Sequence, residues 1–314
     1  MLFRSPTVAS GLTRDQRHPC ESGVSSVLNA RVGQSLLALS QLLAGKLPEA
    51  EAQQIATMAT GLLVTAPGQP ASLGELVTLA EARLGASRLP GASPELVQLA
   101  EKNADEVRGQ ARTSREAVLA APTSTLAVAA RVLLLSDTEV PSEEAQSLLG
   151  ELRGRLEAST GLVKEFSRGN PVYTTFGQAS TARAFELAES KQPGATNEAA
   201  HKLLQATFNS PLLADARFGG FFQRAGAKPT RKSLLDHAEL LLAVRGLEAG
   251  GLKNEQLAKW GADLSVLLTD KFYDPVWNGA TAVTDEQFRP VGDSPCATAN
   301  TEAMCGLLLG LVQF

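Results

Sequence analysis

Apolar side chains recur at every third or fourth position along most of this chain, which is the spacing of one face of an α-helix. In the first clear case, Leu28, Val32 and Leu36 lie on one face of residues 26–44. The same spacing predicts further helices at residues 48–64, 72–84, 93–110, 125–135, 142–166, 175–190, 197–209, 232–248, 254–269 and 297–312. Alternating β-branched residues, which are typical of strands, are almost absent. The pattern therefore predicts an all-α protein.

Two interruptions divide this pattern into regions. Residues 1–25 contain several prolines and glycines and show no periodicity, so we expect a loose N-terminal segment there. A Gly-Asn-Pro sequence at residues 169–171 forms the second break, in the middle of the chain. We therefore expect a helical region at residues 26–170, to which the sequence assigns no role, and a region of helical-hairpin repeats at residues 171–314.

The hairpin prediction comes from an internal repeat. Residues 174–223 and 233–282 each contain an apolar helix, a second helix, and an Asp followed by a Gly-containing loop. A shift of 59 residues aligns Asp215 with Asp274. The same shift aligns small or apolar residues of one copy with small or apolar residues of the other. This register predicts an array of helical hairpins, because each pair of helices must bury its apolar face against its neighbours.

Four short sequences within this array carry a resemblance to known proteins, at residues 219–222, 233–238, 271–275 and 290–294. Together with the hairpins they resemble the six-hairpin, or (α/α) toroid, glycosidase-like superfamily. More narrowly, they resemble the helical region of thioredoxin-domain-containing proteins related to spermatogenesis-associated protein. The resemblance covers residues 171–314.

This resemblance implies a partial or complete ring of helical hairpins around a central pocket. It also implies that acids and aromatic residues that contact a substrate lie on loops at one rim of the ring. No thioredoxin-type CxxC sequence is present, so a redox activity does not follow from the resemblance.

Charge and cysteine content narrow the possible partners. The formal net charge is −4 and well mixed, so no footprint for nucleic acid or an anionic membrane surface is visible. The longest apolar stretch, residues 304–312, is far shorter than the roughly 20 residues that span a bilayer. The three cysteines lack metal-binding or redox spacing. We therefore expect a soluble, cytoplasmic protein with no metal, no cofactor, no nucleic-acid partner and no membrane partner.

The first catalytic candidates are the neighbours Asp236 and His237. In a pocket, a carboxylate beside an imidazole can serve as a general acid and base. A structural interpretation is also open, because Ser233 begins a Ser-x-x-Asp capping pattern that would use Asp236 at a helix N-terminus. His237 lies on the apolar face of that helix, which favours burial of the imidazole.

The other catalytic candidates are Asp274 and Asp293, on expected rim loops. Glycoside hydrolysis needs one carboxyl group to protonate the leaving oxygen and a second to attack or to activate water. Because Asp215 repeats Asp274, both residues also fit a structural role in which they brace their loops through hydrogen bonds to backbone. Asp293 has no counterpart in the other copy and is the stronger functional candidate.

Aromatic residues beside these acids form the predicted substrate-binding set. Tyr273 and Trp277 flank Asp274 in a chain with only two Tyr and two Trp. Aromatic rings pack against the apolar faces of sugars, and Phe222 of the Gly-Gly-Phe-Phe sequence completes the set. Core packing explains Trp277 equally well.

Two functions stay open on this basis. The protein is either a non-catalytic helical scaffold or binding module, or a carbohydrate-active enzyme of the glycoside-hydrolase type that uses rim carboxylates as general acid and base. A carbohydrate is the expected ligand in the second case. The sequence identifies neither a substrate nor a protein partner, nor the oligomeric state.

Overall fold

The computed structural model describes residues 26–43, 46–65, 70–89, 91–138, 140–191, 197–226, 231–274 and 279–291. Within these residues the helices are α1 (Ser26–Leu42), α2 (Glu49–Val64), α3 (Leu73–Ser87), α4 (Pro94–Thr113), α5 (Arg115–Leu119), α6 (Thr123–Ser136), α7 (Glu143–Gly154), α8 (Thr175–Ser190), α9 (Glu198–Phe208), α10 (Leu234–Ala249) and α11 (Glu255–Leu267). A π-helical turn, Leu268–Phe272, follows α11. The predicted loose segment at residues 1–25 and the predicted helix at residues 297–312 lie outside the described residues.

Two short antiparallel strand pairs accompany the helices. Strand β1 (Arg231–Ser233) pairs with β4 (Val283–Asp285), and β2 (Tyr273–Asp274) pairs with β3 (Gly279–Ala280). These strands are only two or three residues long, so the described part of the chain is helical in character, as its apolar spacing predicts.

Hydroxyl side chains set where several helices begin. Ser72 and Ser93 accept hydrogen bonds from the backbone N–H groups of Glu75 and Leu96, each at 3.2 Å. Such caps satisfy N–H groups that have no partner inside the helix. The capping sequences recognised at both serines therefore do mark helix starts.

The helices pack as consecutive pairs, and the first members of the pairs also pack against one another. The pairs are α1 with α2, α3 with α4, α6 with α7, α8 with α9, and α10 with α11. Helices α1, α3, α6, α8 and α10 contact each other in that order, and we call them the inner helices. Inner helices such as α6 and α10 are buried almost all round, whereas α9 and α11 bury one stripe. This difference defines an inner and an outer layer.

The internal repeat keeps its register in three dimensions. Helices α8 and α10 begin 59 residues apart, and each is preceded by a hydroxyl cap, Thr174 or Ser233. The same shift relates two backbone pairings that follow the outer helices, Ala214 with Phe221 and Tyr273 with Ala280. The two copies are therefore structural as well as sequence repeats, and the predicted hairpin array is confirmed.

One predicted helix is too long. The apolar spacing indicates helix over residues 142–166, but α7 ends at Gly154 and the chain continues as a loop. Arg155 is buried, and its guanidinium donates to the carbonyl oxygens of Ala121 and Glu165, each at 2.9 Å. The prediction fails because a loop built around a buried Arg buries apolar residues as completely as another helical turn would.

A single apolar cluster extends from Leu76 on α3 to Phe272 beside α11, and so includes residues on both sides of residue 171. A second cluster joins α1, α2 and α3 around Leu36 and Leu62. The division of the chain at residue 171 stays a prediction. In the described part, no helix has both the length and the apolar character needed to cross a membrane.

Candidate functional site

The inner helices surround a central cavity of about 440 Å³. This volume falls in the range of roughly 300–1,000 Å³ that is typical of small-molecule sites. The walls combine apolar residues such as Val77, Val128 and Leu242 with a smaller polar set. The polar set includes Arg31, Gln34, Thr78, Glu81, Arg88, Ser124, Arg183 and Glu239. Apolar walls with a few polar groups are what a small polar ligand requires.

Four charged residues in or behind this wall form one network, which we call the cavity network: Glu81, Arg131, Arg183 and Glu239. Arg131 donates to Glu81 Oε1 at 2.6 Å and to Glu239 Oε1 at 2.8 Å. Arg183 donates to Glu239 Oε1 and Oε2 at 3.0 and 2.9 Å. The network thus links the inner helices α3, α6, α8 and α10.

The electrostatics of the cavity network favour the charged form of Glu239. Burial by itself would raise its pKa, but Arg183 and Arg131 together lower the pKa of this carboxyl to about 2. The hydroxyl of Ser180 also donates to Glu239 Oε1 at 2.9 Å. Glu239 is therefore a fixed negative charge at neutral pH and cannot serve as a general acid there.

The register of the inner helices explains why these residues meet. Glu81, Arg131 and Arg183 are each the ninth residue of their helix, in α3, α6 and α8. Because these helices are neighbours in the inner layer, equal positions lie at a similar depth in the ring. Repetition of the hairpin therefore places a charge on each of three consecutive inner helices at one level.

A second polar group lies at the N-terminal ends of α6, α8 and α10. The carboxylate of Glu165 accepts hydrogen bonds from Ser124 at 3.1 Å and from Thr174 at 2.6 Å. A Cβ atom at Gly177 would lie 2.7 Å from Glu165 Oε2, so this position needs glycine if the carboxylate is to reach α8. Because Ser124 lines the cavity, Glu165 is connected to the cavity through one hydroxyl group.

Asp236, on the first turn of α10, interacts electrostatically with Glu165. Burial raises the pKa of its carboxyl to about 8, and the negative charges of Glu165 and Glu239 add to the rise. Ser233 Oγ accepts a hydrogen bond from the backbone N–H of Asp236 at 3.4 Å, so the capping pattern read from the sequence is present. Asp236 is therefore a protonated carboxylic acid at neutral pH.

His237 belongs to a different arrangement. Its Nε2 accepts a hydrogen bond from the N–H of Phe221 at 2.8 Å, and its Nδ1 lies 2.6 Å from the carbonyl oxygen of Ser233. Both contacts are satisfied together only if Nδ1 carries the proton and the imidazole is neutral. Burial agrees with this, because it lowers the pKa of His237 to about 4. Both ring nitrogens are thus occupied by backbone.

The imidazole supports the loop at residues 215–222. Gly220 has φ of +75°, and a Cβ atom there would lie 2.9 Å from His237 Nε2, so glycine is required on both grounds. Asp215 Oδ1 accepts from the N–H groups of Arg217 and Phe218, which confirms the loop-bracing role expected of this Asp.

A buried lysine completes the support of this loop. Lys232 Nζ lies 2.7 Å from Asp215 Oδ2 and donates to the carbonyl oxygens of Gly219 and Glu286 at 2.6 and 2.7 Å. Its ammonium also lies 4.0 Å from the ring centroid of Phe288, in cation–π geometry. We call Asp215, Lys232 and His237 the loop network.

The structure does not gather the sequence-derived candidates around the cavity. Of the described residues that line it, none is Asp236, His237, Tyr273 or Phe222. Phe222 is buried, and its carbonyl oxygen accepts from Thr175 Oγ1 at 2.6 Å. Tyr273 is half-buried against the main core. Asp293, Trp277 and the side chain of Asp274 lie outside the described residues, so their proposed roles stay predictions.

Sequence reasoning missed the cavity network. One signal for it was available, because Arg131 is the only charged residue in α6 and lies within its apolar stretch at residues 126–135. An isolated charge in a buried helix needs a partner, and in this ring the partners come from three other helices. Which residues become the partners of Arg131 depends on how the helices of the ring pack together. The described residues contain no group of three or more His, Cys, Asp or Glu side chains placed to bind a metal ion.

Comparison with solved structures relates this architecture to enzymes that act on sugars. No family model matches the chain, and no curated protein matches it. A D-mannose isomerase structure superposes with a TM-score of 0.69 at 13% identity, covering 96% of this chain and 90% of that one. A sugar epimerase from a ruminal bacterium superposes with a TM-score of 0.68 at 12% identity, covering 98% of this chain and 99% of that one.

A hydrolase gives a similar result. An unsaturated glucuronyl hydrolase specific for heparin superposes with a TM-score of 0.69 at 13% identity, covering 97% of this chain and 92% of that one. These neighbours have the six-hairpin glycosidase-like fold, so the (α/α) toroid that the resemblance implies is confirmed. At such identities the likeness concerns the fold, because one fold supports many activities.

Proposed function

We propose that this protein binds a carbohydrate in its central cavity. The observation that carries the proposal is the cavity itself, whose apolar walls hold a charged network at mid-depth. Sugars offer hydroxyl groups to such a network and apolar ring faces to such walls. The sugar-converting enzymes that share the fold support the same choice of ligand.

Binding without catalysis is the role that the cavity network favours. Glu239 is ionised at neutral pH, and both of its oxygens accept from arginines. Glu81 is likewise held by Arg131. Carboxylates that are committed in this way can hold a ligand hydroxyl in place, but hydrolysis also needs a carboxylic acid that gives up a proton.

A cavity-filling variant tests this proposal. Thr78 lines the cavity from α3, and its hydroxyl donates to the carbonyl oxygen four residues earlier, at 2.8 Å. Thr78→Phe therefore fills the cavity with little loss of hydrogen bonding. Thr57→Phe is the matched control, because Thr57 makes the same contact on the exposed side of α2.

Binding is measured by saturation-transfer NMR and calorimetry with mannose, cellobiose, glucuronate and mannobiose. We expect at least one of these sugars to bind the wild type and the Thr57→Phe variant, and Thr78→Phe to abolish that binding. The absence of binding by every sugar, or equal binding by Thr78→Phe, would reject the proposal.

An enzymatic role is the second candidate, and Asp236 is the observation that favours it. A carboxylic acid with a pKa of about 8 can donate a proton at neutral pH. The Glu165 carboxylate, which is joined to the cavity wall by Ser124, would act as the paired base through that hydroxyl group. The rim acids Asp274 and Asp293 stay candidates for the same pairing.

Turnover decides between the two roles. The wild type is incubated with aryl glycosides and with free aldoses, and products are followed by NMR. An enzyme would convert at least one substrate, and Asp236→Asn would abolish conversion while leaving ligand affinity within a few-fold of wild type. A wild type that binds a sugar but converts none rejects the enzymatic role for that panel.

Two finer proposals concern relationship and location. The narrower likeness to thioredoxin-domain-containing proteins rests on the short sequences at residues 219–222, 233–238, 271–275 and 290–294. A cytoplasmic location rests on the spacing of the three cysteines. Imaging of a fluorescent fusion in the source cell would test the location.

A further inference from the structure

Among the described residues, positive charge exceeds negative charge around the cavity. Arg88 and Arg183 line the cavity, and Arg131 lies behind its wall, whereas Glu81 and Glu239 are the carboxylates of the same group. Three guanidinium groups of this set thus accompany two carboxylates. The excess of one positive charge lies in a partly apolar space, where charges act over longer distances than in water.

The Glu239 carboxylate leaves little capacity for a positively charged ligand. Glu239 Oε1 accepts from Arg131, Ser180 and Arg183, and Oε2 accepts from Arg183 again. Glu81 Oε1 accepts from Arg131. A carboxylate whose oxygens already receive several donors gains little from another cation.

Arg183 and Arg131, by contrast, have N–H donors without a hydrogen-bond partner among the described residues. The hydrogen bonds that Arg183 makes to described residues all come from Nη1, so the edge formed by Nε and Nη2 has no such partner. The Arg183 side chain is 27% exposed and lines the cavity, so a ligand can reach this edge. Behind it, Arg131 Nη2 is buried without a hydrogen-bond partner among the described residues.

Arg88 adds charge near one end of the cavity. It lies at the C-terminal end of α3, and its Nη2 donates to the carbonyl oxygen of Leu135 on α6. A neutral carbonyl does not compensate the guanidinium charge. Burial lowers the pKa of Arg88, and no carboxylate of a described residue opposes that shift.

We propose that the ligand of this cavity is an anionic sugar, a sugar carboxylate or a sugar phosphate, whose charged group is bound by the Nε and Nη2 edge of Arg183. A guanidinium edge donates two parallel hydrogen bonds to a carboxylate or a phosphate. Glu239 fixes the orientation of that edge by holding Nη1 from the opposite side. This inference rests on the proposed function and names its class of ligand.

The test compares glucose with two derivatives that carry an anionic group at C6, and with inorganic phosphate. Calorimetry at low ionic strength measures the affinities of glucose, glucuronate, glucose 6-phosphate and inorganic phosphate for the wild-type chain. Hydrogen bonds to a charged group contribute enough free energy that we expect an anionic sugar to bind about tenfold more tightly than glucose, or better. Added salt should weaken the binding of the anionic sugar more than the binding of glucose.

Arg183→Gln is the decisive variant, and Arg245→Gln is its control. The Arg245 side chain is 32% exposed and bonds to Glu248 at 2.7 Å, which resembles the exposure and pairing of Arg183, but it does not line the cavity. We expect Arg183→Gln to bring the affinity of the anionic sugar to within about threefold of that of glucose. Arg245→Gln should keep the full preference. Circular dichroism confirms that both variants are folded.

The outcomes separate the two proposals. Equal affinity for glucose and both anionic sugars overturns the anionic ligand and leaves carbohydrate binding in place. A preference that survives in Arg183→Gln overturns the role of Arg183. Inorganic phosphate that binds as tightly as both anionic sugars overturns the sugar component. The absence of binding by every sugar rejects the proposed function itself.

Discussion

The cavity network and the loop network solve the same physical problem in different ways. Both place charged side chains in the interior, where an unpaired charge would cost several kcal/mol. In the loop network, Lys232 is completely buried and its ammonium is surrounded by Asp215 and two carbonyl oxygens. In the cavity network, the bonds of Arg183 to described residues lie on one side of its guanidinium group, and the residue lines the cavity.

This difference indicates separate purposes. A network whose groups all bond to protein holds a loop in one conformation and has no capacity left for a ligand. A network that keeps donors at a cavity wall is stable enough to fold and can still bind something else. Burial alone therefore does not identify a site, and the direction of the unoccupied donors is the more useful criterion.

The largest expected effect comes from removing the charge at the centre of the loop network. Lys232→Met leaves Asp215 Oδ2 and two carbonyl oxygens without their donor. We expect the free energy of unfolding to fall by about 3–5 kcal/mol, which is the usual cost of breaking a buried pair from one side. Urea denaturation measures this change.

Lys202→Met is the control for this prediction. Lys202 pairs with Glu198 on the surface of α9, where its side chain is 68% exposed. Exposed pairs contribute about 0–1 kcal/mol, so this variant should match the wild type closely. A loss of less than about 1 kcal/mol in Lys232→Met would contradict a stabilising role of the loop network.

The second prediction uses acid to separate the two networks. The pKa of His237 falls from 6.5 to about 4 on folding, so the unfolded chain binds a proton first as the pH decreases. The stability that neutral His237 provides is complete above pH 6.5 and is lost between pH 6.5 and about 4. The shift corresponds to about 3 kcal/mol.

The stability that ionised Glu239 provides should be lost at a lower pH than that of His237. Its pKa falls from 4.5 to about 2, so its contribution is present above pH 4.5 and is lost only as the pH approaches 2. Urea denaturation of the wild type and of His237→Gln, at pH 7, 5.5 and 4.5, isolates the histidine contribution. The variant should lose less stability than the wild type over this pH range. Parallel pH profiles of the two proteins would contradict the assignment of this loss of stability to His237.

The third prediction concerns the centre of the cavity network. Glu239→Gln removes the charge that orients Arg131 and Arg183 but keeps an oxygen that can accept a hydrogen bond. We expect a loss of about 2 kcal/mol, within the range for hydrogen bonds to charged groups. Glu198→Gln, on the exposed face of α9, serves as control. Thermal unfolding at pH 7 provides the comparison, and equal midpoints would argue against a coupled network.

The smallest expected effect on stability is that of Arg183→Gln. Because its side chain is partly exposed and Arg131 still neutralises Glu239, we expect a loss of about 1 kcal/mol or less. This variant sharpens the comparison between the networks, since ligand affinity should fall although the fold is kept. A loss of several kcal/mol, measured by urea denaturation, would show that Arg183 is as structural as Lys232.

Much of the architecture could be predicted from local pattern. The spacing of apolar residues located the helices, Ser72 and Ser93 marked helix starts, and the shift of 59 residues predicted matching hairpins. These features depend on neighbours within about one helical turn, or on the repetition of a unit, and both are visible in a single sequence. The overlong helix at residues 142–166 shows the limit of that signal.

The candidate site could not be predicted in the same way. Asp236 and His237 attract attention because they are adjacent in sequence, yet one is a buried acid near Glu165 and the other a brace for Phe221. Adjacent residues on a helix point about 100° apart, so adjacency in sequence does not make a pair in space.

The sequence by itself determined that this chain folds into repeated helical hairpins, since local propensity, capping and apolar spacing all agree on that result. Only the tertiary structure decided which charges meet. Glu81 and Glu239 are 158 positions apart, and packing of the inner helices brings both to Arg131. The physical reason is that burial and pairing of a charge depend on the elements packed around it, and that packing is a property of the whole ring.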